Sequence, residues 1–76
     1  MTTSSASAVT STIRAEAARR DMSQRELAER IGMSHASLSR RMTGAQPWDL
    51  NELDKIAGLF GMTIRDLLPA AVSAVN

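Results

Sequence analysis

Apolar residues recur at helical spacing in the middle of the chain, between residues that favour helix ends. Ser23-x-x-Glu26 has the form of a capping box, and Leu27 and Ile31 follow it on one helical face. Gly32 then supplies a residue suited to the left-handed conformation that ends many helices. The pattern predicts a short helix that begins at Ser23 and stops at Gly32.

A second short helix is predicted directly after this glycine. Ser34 can cap it, and Leu38 and Met42, four positions apart, point inward. Its remaining positions carry small polar or basic side chains: His35, Ala36, Ser37, Ser39, Arg40 and Arg41. Because a helix with little outward bulk fits the major groove of DNA, residues 23–43 are interpreted as a helix-turn-helix.

Three further helices are predicted on either side of this pair. The first runs from a cap at Thr10 or Ser11 to about residue 20, with apolar residues inward and arginines outward. Asp49-x-x-Glu52 begins a fourth helix, which stops at Gly61. Thr63-x-x-Asp66 begins a fifth, which Pro69 ends. The predicted inward positions are Ile13 and Ala17, then Leu50, Leu53, Ile56, Ala57 and Phe60, and finally Ile64, Leu67 and Leu68.

The chain is therefore expected to be all-α, with one domain over residues 10–68. Residues 1–9 are rich in Ser, Thr and Ala without periodicity, which predicts a flexible N-terminal arm. Residues 69–76 form a weakly apolar C-terminal tail. No segment has the alternating pattern of a strand.

Composition excludes several classes of protein. The 76 residues contain no cysteine and one histidine, so neither a disulfide framework nor a zinc site is expected. No apolar run approaches the roughly 20 residues of a membrane span, and the N-terminus lacks the features of a signal peptide. We expect a soluble, cytoplasmic protein. No nucleophile-and-base pair or phosphate-binding loop is present, so no enzymatic activity, cofactor or small-molecule ligand is expected.

The charges are divided unevenly between the two halves of the chain. Residues 1–43 contain seven arginines and four acidic residues, a net charge of +3, whereas residues 44–76 have a net charge of −2. This asymmetry suggests one face suited to a polyanion. Arginine outnumbers lysine eight to one, which suits bidentate contacts to phosphate or guanine but is equally the product of a high-GC genome.

Residues 13–68 resemble the lambda-repressor/Cro-like (XRE-type) family of helix-turn-helix domains. The resemblance rests on several elements in one register: Ile13-Arg14, Met22-Ser23-Gln24, Glu26-Leu27-Ala28, Ile31-Gly32-Met33-Ser34, Leu38-Ser39-Arg40, Gly44, Leu53-x-x-Ile56-Ala57-x-x-Phe60-Gly61-Met62-Thr63 and Leu67-Leu68. It implies a compact five-helix, lambda-repressor-like domain that binds double-stranded DNA. The compact size and the segment Leu-Ser-Arg-Arg-Met-Thr-Gly, residues 38–44, look most like small regulators of actinobacteria and their phages.

The resemblance implies a sequence-specific transcriptional regulator, such as a phage repressor or a Cro-like protein that acts by occupying its operator. The alternative is an antitoxin-like protein-interaction module with the same fold. Two-fold dimers on palindromic sites are a common solution for such domains, but binding as a monomer stays open. The chain is either a whole protein or the DNA-binding part of a longer one.

The family also indicates which residues meet the DNA. Gln24, after the cap of the second helix, either binds a phosphate or is a solvated glutamine. His35 either donates to a guanine or phosphate acceptor or has no role, and Ala36 can touch a thymine methyl. Ser34 is a contact or only a cap. Contacts are also expected from Ser37, Ser39, Thr43 and Gln46.

The second helix of the helix-turn-helix is the recognition helix of this family, and two arginines at its end have competing interpretations. Arg40 is the best candidate for direct readout of a guanine, and its alternative is an ion pair with Glu26 or Glu29. Arg41 stands where the family often has an apolar residue. It either extends to a phosphate or lies over Trp48, which is itself interpreted as a packing residue rather than a base-stacking platform.

Overall fold

Five helices joined by short turns make up the described part of the chain. The computed structural model describes residues 5–68, with side chains described from residue 7 onward. Within these residues there is no strand, and the helices are α1 (Ser5–Arg19), α2 (Gln24–Ile31), α3 (His35–Thr43), α4 (Leu50–Leu59) and α5 (Ile64–Leu67). The predicted all-α, five-helix architecture is confirmed, and α2 and α3 are the two helices of the helix-turn-helix.

Side-chain oxygens cap the helices where the sequence predicts them. The carboxylate of Asp49 accepts from the backbone N–H of Glu52 at 2.8 Å, and the Glu52 side chain accepts in return from Asp49 N at 3.1 Å. Thr63 and Asp66 form the same reciprocal pair at the start of α5. Each pair satisfies backbone donors that a helix leaves unbonded in its first turn, so the two predicted capping boxes are confirmed.

The capping box predicted at the start of α2 is only half formed. Ser23 Oγ accepts from Glu26 N at 3.1 Å, as expected of a cap. The Glu26 carboxylate accepts from Arg30 Nη2 at 3.0 Å, one turn further along the helix. Ser23 therefore sets the start of α2, whereas Glu26 contributes an exposed ion pair on its side.

Residues in the left-handed backbone conformation form the turns between the helices. Gly32 (φ 74°) ends α2 and Gly61 (φ 71°) follows α4, as predicted. Asp21, between α1 and α2, has φ 56°, a conformation that costs a residue with a Cβ roughly 1–2 kcal/mol and that aspartate tolerates better than most. Because of the turn at Gly32, α3 begins only a few residues after the end of α2 and packs against it.

Helix α1 begins earlier than the sequence predicted. It starts at Ser5 rather than at Thr10 or Ser11, so the predicted arm over residues 1–9 overlaps the helix from residue 5 onward. Val9 is 4% exposed and Thr10 is 8% exposed. Thr10 is no cap, because its Oγ1 is buried and accepts a hydrogen bond from Trp48 Nε1 at 2.9 Å. Residues 1–4, the predicted tail over 69–76 and the stop at Pro69 lie outside the described residues.

The core lies between all five helices. The fully buried large side chains are Ile13, Leu27, Leu38, Ile56 and Leu67, one from each helix. Each was predicted to face inward. Val9, Ala17, Ala28, Ile31, Met42, Leu53, Ala57 and Phe60 complete the buried cluster, and Met22, Met33, Trp48, Leu59, Met62, Ile64 and Leu68 pack against it.

One predicted orientation is wrong, and one predicted outward residue makes contacts that were not predicted. Leu50, assigned to the inner stripe of α4, is 73% exposed at the first position of that helix. Arg20, predicted to face outward at the end of α1, is exposed, but its guanidinium also lies over the ring of Phe60 at 4.5 Å and donates to the Phe60 carbonyl at 2.8 Å. It also pairs with Glu16 at 2.7 Å. Arg20 therefore holds the end of α1 against the end of α4.

Candidate nucleic-acid interface

The start of α3 presents its first residues to solvent. Ser34 Oγ accepts from Ser37 N at 3.1 Å and donates to Ser37 Oγ at 2.9 Å, which fixes the first turn of the helix. His35 and Ala36 are exposed beside it. Backbone N–H groups and the positive end of the helix dipole also point outward here, and both favour an anion such as phosphate. The serine cap therefore orders an exposed helix start.

The outer face of α3 is formed by three exposed residues. Ala36, Arg40 and Thr43 are four and three positions apart, and all three are exposed, whereas Leu38 and Met42 are buried on the opposite face. Ser39 is half-buried at the side of the helix. A face with one long basic side chain between two small ones can approach the base edges of a major groove closely.

Arg40 is held in place by two uncharged partners. Its Nε donates to Gln46 Oε1 at 2.8 Å, and its Nη2 donates to Ser37 Oγ at 3.2 Å. Neither Glu26 nor Glu29 is among its partners in the described part of the chain, so the ion pair that was the alternative interpretation of Arg40 is not formed. The guanidinium keeps its charge uncompensated on the exposed face of α3.

Arg41 takes neither of the two positions predicted for it. Its Nε donates to Glu52 Oε1 and Oε2 at 2.9 and 3.0 Å, and its Nη1 donates to the Ser37 carbonyl at 3.0 Å. The Arg41 side chain is only 17% exposed. It therefore joins α3 to α4 instead of extending outward or covering Trp48, because the Glu52 carboxylate in the first turn of α4 lies within its reach.

The segment after α3 is folded back onto the end of that helix. Gln46 N donates to the Arg40 carbonyl at 3.1 Å, and Thr43 Oγ1 donates to the same carbonyl at 3.2 Å. Gln46 Oε1 also accepts from Arg41 Nη1 at 3.2 Å, in addition to Arg40 Nε. Gln46 stays a predicted DNA contact, and its amide oxygen also orders both arginines.

The predicted contact residues fall into two groups. Gln24, the first residue of α2, is half-buried, and the remaining predicted residues belong to α3 or its immediate ends. The exposed members are Ser34, His35, Ala36, Arg40, Thr43 and Gln46, and the half-buried members are Gln24, Ser37, Ser39 and Arg41. Glu52 was not predicted as part of the site, because its link to Arg41 spans eleven positions and depends on the fold.

Across residues 5–68, no group of three His, Asp or Glu side chains could hold a metal ion. No helix in the same range is long and apolar enough to cross a membrane.

Comparison with protein families agrees with this geometry. Residues 12–70 match the model of the Cro/C1-type HTH DNA-binding domain. The chain belongs to this family. It is thus a helix-turn-helix DNA-binding domain, and α3 is its recognition helix. No curated protein sequence matches the chain.

Solved structures share the fold at low identity. A crystal structure of the clp gene regulator ClgR from Corynebacterium glutamicum has a TM-score of 0.79 and 23% identity, over 99% of this chain and 97% of that one. Apo-HppE has a TM-score of 0.76 and 20% identity, over 90% of this chain but only 38% of its own. At these identities the likeness is one of fold, and the HppE chains contain much beyond it.

Proposed function

We propose that the chain is a sequence-specific regulator of transcription that acts by occupying operator DNA in the bacterial cytoplasm. The observation that carries the proposal is the placement of Arg40. Its guanidinium is exposed on the outer face of the recognition helix and is fixed there by Gln46 and Ser37. An arginine at such a position can donate to guanine O6 and N7 in the major groove, the commonest specific contact between protein and DNA.

The remaining parts of the surface supply phosphate contacts that position the protein and further contacts to base edges. The helix starts at Gln24 and at Ser34 present backbone N–H groups, which suit phosphate oxygens. His35 and Ala36 lie on the exposed first turn of α3, from which they can reach base edges. Within the family, a phage repressor or Cro-like role fits the domain, and a two-fold dimer on a palindromic site would double the small footprint of one recognition helix.

The test is a selection of genomic fragments on the purified protein, followed by competition against scrambled duplexes. We expect one enriched sequence to bind more tightly than its scrambled version. Affinity should fall with salt at a log–log slope of roughly −4 to −5 per protomer, for about four to six phosphate contacts. The mass of the complex gives the number of protomers. A wild-type protein that prefers no duplex would favour the antitoxin-like protein-interaction module instead.

A further inference from the structure

A groove of about 500 Å³ lies between α1 and the segment 43–48 that follows the recognition helix. Its α1 wall carries the side chains of Ser11 and Arg14, and its opposite wall includes Thr43, Gln46 and Trp48. Trp48 Nε1 donates to Thr10 Oγ1 at 2.9 Å across the base of the groove. This hydrogen bond ties the two walls together, so the groove is a fixed feature of the fold.

The lining of the groove is electropositive. It includes the unpaired Arg14, several hydroxyl groups and Arg41, whose charge is compensated by Glu52, and it includes no carboxylate. The comparable groove between α3 and α4 is different, because Asp49 and Glu52 accompany Arg41 and Lys55 there. The first groove therefore suits an anion, whereas the charges of the second largely balance each other.

Arg14 is the uncompensated charge in this groove. Among residues 5–68 it has no hydrogen-bond or ion-pair partner, and its side chain is exposed. The two other arginines of α1 are different, because Arg19 and Arg20 both pair with Glu16. An arginine that is free in the protein keeps all its donors for a ligand, and a guanidinium fork matches the oxygens of a phosphate.

We propose that this groove binds a backbone phosphate of the DNA, with Arg14 as the contact residue. The proposal rests on the proposed function and extends the interface from α2 and α3 to α1. Thr43 and Gln46 connect the groove to the recognition helix, because both are hydrogen-bonded to Arg40 and both line the groove. A DNA strand that passes the C-terminal end of the recognition helix therefore meets the groove next. Because phosphates are alike in every sequence, Arg14 contributes affinity and no base preference.

The experiment compares Arg14→Ala with Arg65→Ala as a matched control. Arg65 is also exposed, forms no side-chain hydrogen bond or ion pair in the described part of the chain, and lies on α5. Both variants lose one positive charge. Affinity for the selected duplex and for a scrambled duplex is measured across a salt series. We expect Arg14→Ala to weaken both duplexes by the same factor and to reduce the salt slope by about 1, with Arg65→Ala unchanged in slope.

The outcomes separate this proposal from the one on which it rests. Arg14→Lys should keep the salt slope of the wild type, because it keeps the charge. An Arg14→Ala slope equal to that of Arg65→Ala overturns the groove as a phosphate site, while wild-type binding still supports a DNA-binding regulator. Wild-type protein that binds no duplex overturns both proposals. Far-ultraviolet circular dichroism of each variant shows whether it is folded.

Discussion

The guanidinium of Arg41 donates through Nε to both carboxylate oxygens of Glu52, at 2.9 and 3.0 Å. The two side chains are 17% and 14% exposed, so water screens the pair less than it screens a surface ion pair. Glu52 also accepts from the backbone N–H of Asp49 and so completes the capping box of α4, and Arg41 belongs to the last turn of α3. One carboxylate therefore sets both the beginning of α4 and the position of the recognition helix against it.

A double-mutant cycle on this pair should give a coupling free energy of about 1–2 kcal/mol, between the values for exposed and for fully buried pairs. The single variants are Arg41→Ala and Glu52→Ala, and the free energy of unfolding is measured by denaturant titration. The exposed pair Arg30 and Glu26 serves as the control, with an expected coupling below about 0.5 kcal/mol. Equal coupling in both pairs would contradict the structural role of Arg41.

Truncation of the buried Leu38 should destabilise the domain strongly. Leu38 is 0% exposed at the centre of the core, so Leu38→Ala loses transfer free energy and leaves a cavity, at a cost of about 2–5 kcal/mol. Leu50→Ala removes the same atoms from a side chain that is 73% exposed, and its cost should be below about 0.5 kcal/mol. Thermal unfolding followed by circular dichroism compares the two. Similar melting temperatures would show that the orientation of α3 is wrong.

Arg40 and Gln24 should differ in what they contribute to binding. Arg40→Ala should lose about 1–3 kcal/mol on the selected site and relax the base preference at one position. Gln24→Ala should weaken selected and scrambled duplexes equally, because a phosphate contact carries no base information. Competition titrations against single-base variants of the site measure both effects. Unchanged preference in folded Arg40→Ala would remove Arg40 from the readout.

Gln46 should affect base preference only through Arg40. Its Oε1 accepts from Arg40 Nε at 2.8 Å, so Gln46→Ala frees the guanidinium to adopt other rotamers. We expect a smaller loss of preference than in Arg40→Ala, at the same base position. In an Arg40→Ala background the Gln46 substitution should change that preference no further, since its target is gone. An additional loss in the double variant would show that Gln46 reads DNA independently.

Acid should weaken the link between α1 and the rest of the domain. The hydrogen bond from Arg20, together with the charges of Arg19 and Arg20, lowers the pKa of Glu16. Because the folded-state pKa is the lower one, the stabilisation is present above the pKa of an unpaired glutamate and is lost as the pH falls through the folded-state pKa. Glu16→Gln should therefore show a smaller decrease of melting temperature on acidification. A decrease as steep as that of the wild type would assign the acid sensitivity to other carboxyl groups, such as Asp66, whose pKa is also lowered.

The sequence was sufficient for the parts of the fold that depend on local spacing. The caps at Ser34 and Asp49 and the turn at Gly32 were predictable because each involves residues no more than four positions apart. The start of α1 was missed because residues 5–9 lack a clear cap, although Val9 lies four positions before Ile13 on the buried face. Leu50 was misplaced because periodicity gives a helical face but not how far neighbouring helices cover it.

Less of the candidate nucleic-acid interface than of the fold could be predicted from the sequence, because its contacts depend on tertiary structure. The outer face of α3 followed from its periodicity, since Leu38 and Met42 fix which side is buried. The partners of Arg40 and Arg41 could not be predicted in this way. Gln46 and Glu52 come close to the two arginines only because of the course that the chain takes between α3 and α4. The groove beside Arg14 joins residues about thirty positions apart, and no local pattern indicates it.

Trp48, which is hydrogen-bonded to Thr10 of α1, also gives the protein an intrinsic fluorescent probe. The chain has one tryptophan and no tyrosine, so its near-ultraviolet fluorescence comes almost entirely from one indole. That indole is half-buried and lines the groove beside Arg14. Its emission is sensitive to the polarity and the charges around the ring. Both the unfolding of α1 from the core and the arrival of a nucleic acid at the groove can therefore be followed in the unlabelled protein.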